Sequence, residues 1–471
     1  MSGNRALYFI SNNCIAAGRP PVLAGARPND NGAIPRPARG IRDAGACGEA
    51  ARKNKKSQRA LLSFFFGLLI PAAALGAAEI RDSEIERAVA AWAAPVAAAA
   101  GMPSIKVRIL EDGALNAFVA GGGDIFVNTG LIARIDSAAE LQAVLAHEIG
   151  HSALGHLAQL GMQTRAETMR GLVAGALGIG LLFVNPLAAT GLIAGAGGMF
   201  AQGMMAFTRD EERAADDYAA RLLAMAGIDV SALLSVFKKM QTFMEAEVNP
   251  NNIGHPLTEE RMKNIRLHIG GPLNATQDPA HLKMIQAKLA GYLDPPGRVA
   301  TLYPAKDVSD AALYARAIAR MRGGELDIAK KGAASLASRH PNNPYFYELL
   351  GDIEFRRGQY DASVRMYENS LKLLAGAPQI ELALALVLSE RGADGDADRA
   401  TSLAKRAILA EPMPLAWWVL AKSDSARADY YMAEYHLMMR DAASAKKHAK
   451  AAVKKLPKGS PEAVKARDIL E

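Results

Sequence analysis

From residue 80 onward, the order of apolar and polar positions falls into three stretches. In the first, Ile80, Ile85, Ala88, Val89, Trp92 and Val96 recur at helical spacing and predict a helix over 80–100. Ile105, Val107 and Ile109 alternate as a strand does, and Gly121-Gly122-Gly123-Asp124 turns the chain into a second strand at Ile125-Phe126-Val127. Leu141, Val144, Leu145 and Ile149 return to a helical period and predict a helix over 138–159 with one side in a core. The second stretch, between Arg170 and Arg209, is 38 residues without a charge, rich in Gly and Ala and divided by Asn185-Pro186. Gly171 to Val184 is too short for a bilayer, whereas Leu187 to Phe207 is long enough on paper. Three readings of 171–207 stay open: an apolar flap or membrane-surface segment over a functional site, plain core helices, or a transmembrane hairpin. The abundant glycine favours the mobile flap. Helices from Arg209 to Met225 and from Val230 to Glu247 follow, then a loop with Asn249-Pro250 and Gly254-His255-Pro256, and a helix start at Thr258-Glu259-Glu260. Pro295-Pro296-Gly297 reads as a domain boundary.

The third stretch, from about residue 303, consists of paired helices with a period near 34 residues. Gly324-x4-Ala329 with Pro341 recurs as Gly358-x4-Ser363, and Tyr347-x2-Leu350-Gly351-x6-Gly358-Gln359-Tyr360 is the cleanest unit. Gly392, Ala400, Ala404, Ala407 and Pro412 mark a third unit, and Ala445, Ala449, Ala452 and Pro457 a fourth. The pattern resembles a tetratricopeptide array.

Charge changes how the chain's start is read. The net charge of +7 points to nucleic acid only until it is located. Residues 1–59 hold eleven Lys and Arg against three Asp and Glu, and 60–78 hold none, so the remainder is close to neutral. Nucleic acid is therefore dropped as a partner. Residues 1–50 have no helical or strand period and read as disordered or as the artefact of an upstream start. The basic run Arg52 to Arg59, the apolar run Ala60 to Gly76 and the small residues up to Ala78 describe a signal peptide over 51–78. An uncleaved membrane anchor is the alternative. Cys14 and Cys47 both precede residue 79, which leaves neither a disulfide framework nor a thiolate metal site beyond it.

The candidate chemistry sits on the predicted helix 138–159. His147 and His151 are four apart and so lie one turn apart on one face, where two imidazoles can hold a zinc ion together. Glu148, beside the first of them, can reach a water on that ion as general base. Zinc needs a further protein ligand, and the nearest downstream carboxylates are Asp210, Glu211, Glu212, Asp216 and Asp217. Glu212 and Asp216 share a helical face; one can bind the metal while the other supports a histidine from behind.

Asn116-Ala117-Phe118, Gly123-x-Ile125-x-Val127-x2-Gly130-Leu131, His147-Glu148-x2-His151, Arg209-x2-Glu212-x2-Ala215-Asp216 and His255-Pro256-x4-Arg261 follow one another in this order. Over roughly residues 80–270 the chain resembles the M48 family of gluzincin metallopeptidases. The resemblance implies an α+β zincin-type (gluzincin) metalloprotease domain over 79–295, followed by an all-α tetratricopeptide-repeat domain over 303–471. It implies one zinc ion on His147, His151 and Glu212, with Glu148 as catalytic base and Asp216 as a second catalytic acid behind the metal. His255 matches a loop histidine that latches the site or steadies the oxyanion; a plain surface-turn histidine is the other reading. Ile125, Phe126 and Val127 are expected to form the edge strand that pairs with an extended substrate. The implied activity is periplasmic, zinc-dependent endopeptidase cleavage of misfolded or stalled outer-membrane proteins, with help to their assembly. The implied partners are those unfolded substrates, the beta-barrel assembly machinery at the repeats, and a membrane surface. Two alternatives stand beside it: a repeat-protein chaperone or adaptor with a latent peptidase site, and an integral membrane protease spanning through 171–207.

Overall fold

The computed structural model describes residues 78–102, 106–120, 124–156, 209–246, 258–270 and 279–471. The expected leader (1–50), the expected signal (51–78) except Ala78, the apolar stretch 171–207 and His255 lie outside these residues. Among the described residues no helix is long and apolar enough to cross a membrane.

The chain enters as strand β1 (Ala78–Ile80) and helix α1 (Ser83–Ala99). Ile80 therefore belongs to a strand, not to the first turn of a helix. Asp82 stops the strand and starts α1, its side chain accepting from the backbone N–H groups of Glu84 and Ile85. Strands β2 (Val107–Glu111), β3 (Ala117–Ala120) and β4 (Asp124–Asn128) follow, then the short helix α2 (Thr129–Ile132). The sheet runs in the order β1-β2-β4-β3. β1 is antiparallel to β2, β2 is parallel to β4 with Val107 opposite Ile125, and β3 is antiparallel to β4 with Ala117 opposite Val127.

This order corrects one expectation. Ile125, Phe126 and Val127 stand in an interior strand, and the edge beyond them is β3. The strand at Ala117–Ala120 carries little apolar alternation of its own. What makes it a strand is pairing, with the Phe118 ring stacked on that of Phe126 at 5.1 Å.

Helix α3 (Ala138–Ala153) packs on α1 and β3, and on α4 (Arg209–Met225) and α5 (Ser231–Ala246). Leu141, Val144, Leu145 and Ile149 are buried in one core with Ile85, Val89, Val96, Leu223 and Phe237, as their spacing requires. Helix α6 (Glu259–His268) closes over α4, its N-terminus capped by Thr258.

Helix α7 (Pro279–Leu293) belongs to two bodies at once. Leu282, Ile285 and Leu289 join the core under the sheet, while its other side packs on α9 of the array. The boundary expected at Pro295-Pro296-Gly297 is therefore not a gap; those prolines start the short helix α8 (Pro296–Leu302). The array follows as α9 (Asp310–Arg322), α10 (Leu326–Arg339), α11 (Pro344–Arg356), α12 (Tyr360–Leu373), α13 (Pro378–Arg391) and α14 (Asp396–Ala410). It ends with α15 (Pro414–Ser423), α16 (Ala428–Met438), α17 (Ala442–Lys455) and α18 (Pro461–Asp468). Gly324 and Gly358 turn α9 into α10 and α11 into α12 at positive φ, +83° and +71°, which explains their 34-residue spacing. α15 is an extra helix that lengthens the interval between the third and fourth units.

The start of α1 is held directly by α9 and α13, and by α11 through Lys288 of α7. Tyr314 on α9 donates to Glu84 at 2.7 Å, and Ser83 donates to Gln379 on α13 at 2.6 Å. Lys288 on α7 reaches Asp82 at 2.8 Å, Glu84 at 3.0 Å and Glu348 on α11 at 3.6 Å. Outside this buried knot, Arg81 pairs with Glu411 at 2.6 Å. Part of the array's face is thus occupied by the chain's own α1.

Candidate metal centre

Two helices build the site, and small residues let them meet. On α3, Gly150 faces Ala215 of α4: a Cβ on Gly150 would lie 3.0 Å from the Ala215 carbonyl oxygen. Ala215 and Ala219 are fully buried along the same seam. Helix α4 begins with Asp210, Glu211 and Glu212, acids where the helix dipole favours them. One of them, Glu212, points inward with Asp216 a turn later, and both are buried.

The close approach brings together what the spacing predicted. The Nε2 atoms of His147 and His151 lie 3.1 Å apart. Glu212 sets Oε2 3.5 Å from the first and Oε1 3.4 Å from the second. Donors about 2.05 Å from a tetrahedral zinc ion stand about 3.3 Å apart, so the spacings here, though to different oxygens of Glu212, are of the size one such ion requires. Among the described residues, His147, His151 and Glu212 are the one buried group of this kind.

The charges fit a cation as well. Glu148, Glu212 and Asp216 are three buried carboxylates, and Arg261 pairs with the last two, so buried negative charge gathers where the donors converge. His147 records the same demand. Burial disfavours its charged form, but hydrogen bonds to Asp216 and Glu212 outweigh burial and push its pKa up to about 9. A positive charge is wanted where the three donors converge.

Behind the donors lies a support that the sequence reading left without a role. Arg261 on α6 donates through Nε and Nη2 to the two oxygens of Asp216, at 2.7 and 2.8 Å. Its Nη1 reaches Glu212 Oε2 at 2.7 Å. Asp216 in turn lies 3.0 Å from His147 Nδ1, so the other ring nitrogen, Nε2, is the one turned toward His151 and Glu212. Burial raises the Asp216 pKa, but Arg261 and His147 overcome it and hold the carboxyl below its ordinary value. The guanidinium lies over the Phe237 ring at 4.9 Å, and His147 meets the same ring edge-on. The only trace of Arg261 in the sequence was its place six residues after His255. His156 was also missed: its Nδ1 lies 3.1 Å from His151 Nδ1, and only its place five residues after a ligand could have flagged it.

The model of peptidase family M48 matches residues 79–269. Those residues are an M48 peptidase domain. The M48 domain thus contains every donor and support described above, and its family implies a metal cofactor. Beyond it, 293 residues are 26% identical to the beta-barrel assembly-enhancing protease of Escherichia coli, covering 59% of this chain and 59% of that protein. The match therefore spans about three-fifths of the relative's length. Metalloprotease LoiP of Escherichia coli is 34% identical over 169 residues, 35% of this chain and 63% of that one. Among solved structures, a tetratricopeptide protein of Thermus thermophilus aligns at 18% identity over 40% of this chain and 91% of its own, with a TM-score of 0.24.

Proposed function

We propose that this chain is an exported, zinc-dependent endopeptidase of the periplasm that degrades misfolded or stalled outer-membrane proteins and aids the assembly of productive ones. The observation that carries the chemistry is the convergence of two imidazole nitrogens 3.1 Å apart on one carboxylate, at 3.4 and 3.5 Å. Two nitrogens and carboxylate oxygen, with no thiolate beyond residue 79, suit zinc. His147, His151 and Glu212 hold it. Bound there, zinc supplies Lewis acidity, which acidifies a water and polarises the scissile carbonyl.

The chain's own residues do the rest. Glu148 takes the proton of the attacking water and delivers it to the amide nitrogen as the C–N bond breaks. Asp216 and Arg261 keep His147 and Glu212 aimed at the metal. An extended substrate pairs with β3, which among the described residues is an edge of the sheet and packs against α3. Backbone pairing of that kind tolerates many sequences, which suits unfolded clients. The repeats supply the surface for a client or for the beta-barrel assembly machinery, on faces not taken by α1. Export is supported by the basic run and apolar run before residue 79. The outer-membrane role is supported by the similarity to the assembly-enhancing protease of Escherichia coli.

Zinc-loaded protein should cleave casein and an unfolded outer-membrane protein, and a chelator should stop it. Glu148→Gln should bind one zinc and cleave neither. Zinc-loaded wild type that cleaves nothing would leave a repeat-protein adaptor with a latent site as the reading.

A further inference from the structure

The two metal-facing imidazoles are held from behind by different chemistry. His147 Nδ1 faces the Asp216 carboxylate, but His151 Nδ1 faces the Nδ1 of His156 at 3.1 Å. Both rings of the second pair are buried, with centroids 5.1 Å apart and planes at 70°. His156 reaches this place because α3 stops just before it. Leu154 donates back to Gly150, and Gly155, at φ +73°, bends the chain so that His156 returns against His151.

A hydrogen bond between His151 Nδ1 and His156 Nδ1 needs one proton, and its owner decides the site. If His151 Nδ1 carries it and donates to His156, then His151 Nε2 presents a lone pair toward His147 and Glu212. If His156 Nδ1 carries it, His151 Nε2 must bear a hydrogen, and a ligand is lost. We propose that His156 is a positioning residue: an acceptor at Nδ1 that keeps the proton on His151 Nδ1 and so makes His151 a ligand. The proposal rests on the metallopeptidase reading above and adds a role to it. An imidazole adds no carboxylate to Glu148, Glu212 and Asp216, which are already buried together. A fourth carboxylate would leave a negative charge buried. A carboxylate partner would also make His151 a stronger electron donor and the metal a weaker electrophile.

The test reads metal binding and proton position as well as turnover. Zinc affinity is measured by competition with a chromophoric chelator for wild type, His156→Leu and His156→Asp. The leucine variant should lose about 10- to 100-fold in affinity. The aspartate variant, which restores an acceptor, should keep wild-type affinity within a few-fold but show a lower kcat. Leucine at wild-type affinity, or aspartate falling as far as leucine, overturns the proposal. If the leucine variant does not fold, 15N-histidine spectra of zinc-loaded wild type decide the matter. His151 should be protonated at Nδ1 and His156 at Nε2; a proton on His156 Nδ1 overturns it. Wild type that binds no zinc sinks the metallopeptidase reading and this proposal together. Wild type that binds and cleaves while the leucine variant matches it sinks only this one.

Discussion

Replacing Lys288 by methionine removes the only cation in contact with Asp82, Glu84 and Glu348 among the described residues, all of them buried where α1 enters the array. The size of the effect follows from what the carboxylates must then do. Burial already works against ionised Glu84 and pushes its pKa up, with Lys288 the main opposing influence. Burial already pushes the Glu348 pKa up to about 8, so it is mostly protonated at pH 7 even beside Lys288; without the ammonium a further carboxyl, Glu84 foremost, must take up a proton to stay buried. At pH 7, protonating a group of ordinary pKa 4.5 costs about 1.36 kcal/mol for each of roughly 2.5 pH units, or about 3.4 kcal/mol. That agrees with the roughly 3–5 kcal/mol typical of breaking a buried ion pair. At pH 5 the same uptake costs only about 0.7 kcal/mol. The sign follows from linkage: the variant's folded state holds a proton that its unfolded state releases above pH 4.5, so its deficit grows as pH rises. Urea unfolding of wild type and Lys288→Met, followed by tryptophan fluorescence and far-UV circular dichroism at pH 5 and pH 7, measures both. A loss of about 3 kcal/mol at pH 7 that shrinks below about 1 kcal/mol at pH 5 is expected. A loss under about 1 kcal/mol at pH 7, or one equal at both pH values, would refute the reasoning.

Other outcomes bear on the metal centre itself. Arg261→Met leaves Glu212 and Asp216 without their guanidinium and should cost the metal-free protein about 3 kcal/mol. Zinc should then raise the Tm of this variant more than that of wild type, because the ion replaces the lost charge; equal shifts would count against the electrostatic account. Gly150→Ala sets a Cβ 3.0 Å from the Ala215 carbonyl oxygen and should wedge α3 from α4. Helix propensity returns about 1 kcal/mol of the roughly 1–3 kcal/mol of overpacking, for a net loss of up to about 2 kcal/mol. Thermal melts and chelator competition should record that loss together with weaker zinc binding; undiminished zinc affinity would mean that the seam does not set the site.

Much of the centre was legible before any coordinates because it is written in local periods. Residues four apart on a helix share a face in any context, so His147 with His151 and Glu212 with Asp216 could be paired from spacing alone. The apolar stripe Leu141, Val144, Leu145 and Ile149 located the buried side of α3 in the same way, and a 34-residue glycine spacing announced the array. Composition placed the positive charge before residue 79 and removed thiolates from the later chain. What the tertiary structure alone decided depends on segments far apart in sequence. The edge strand is β3 because pairing, not alternation, makes it a strand, and that places Ile125–Val127 inside the sheet. Lys288 meets Asp82 and Glu348 only once α7 lies between α1 and α11, and Arg261 spans Glu212 and Asp216 only once α6 closes on α4. Such contacts leave no period in the chain, because they depend on opposite charges attracting across a dry interior, and which charges meet is known only when the helices have packed.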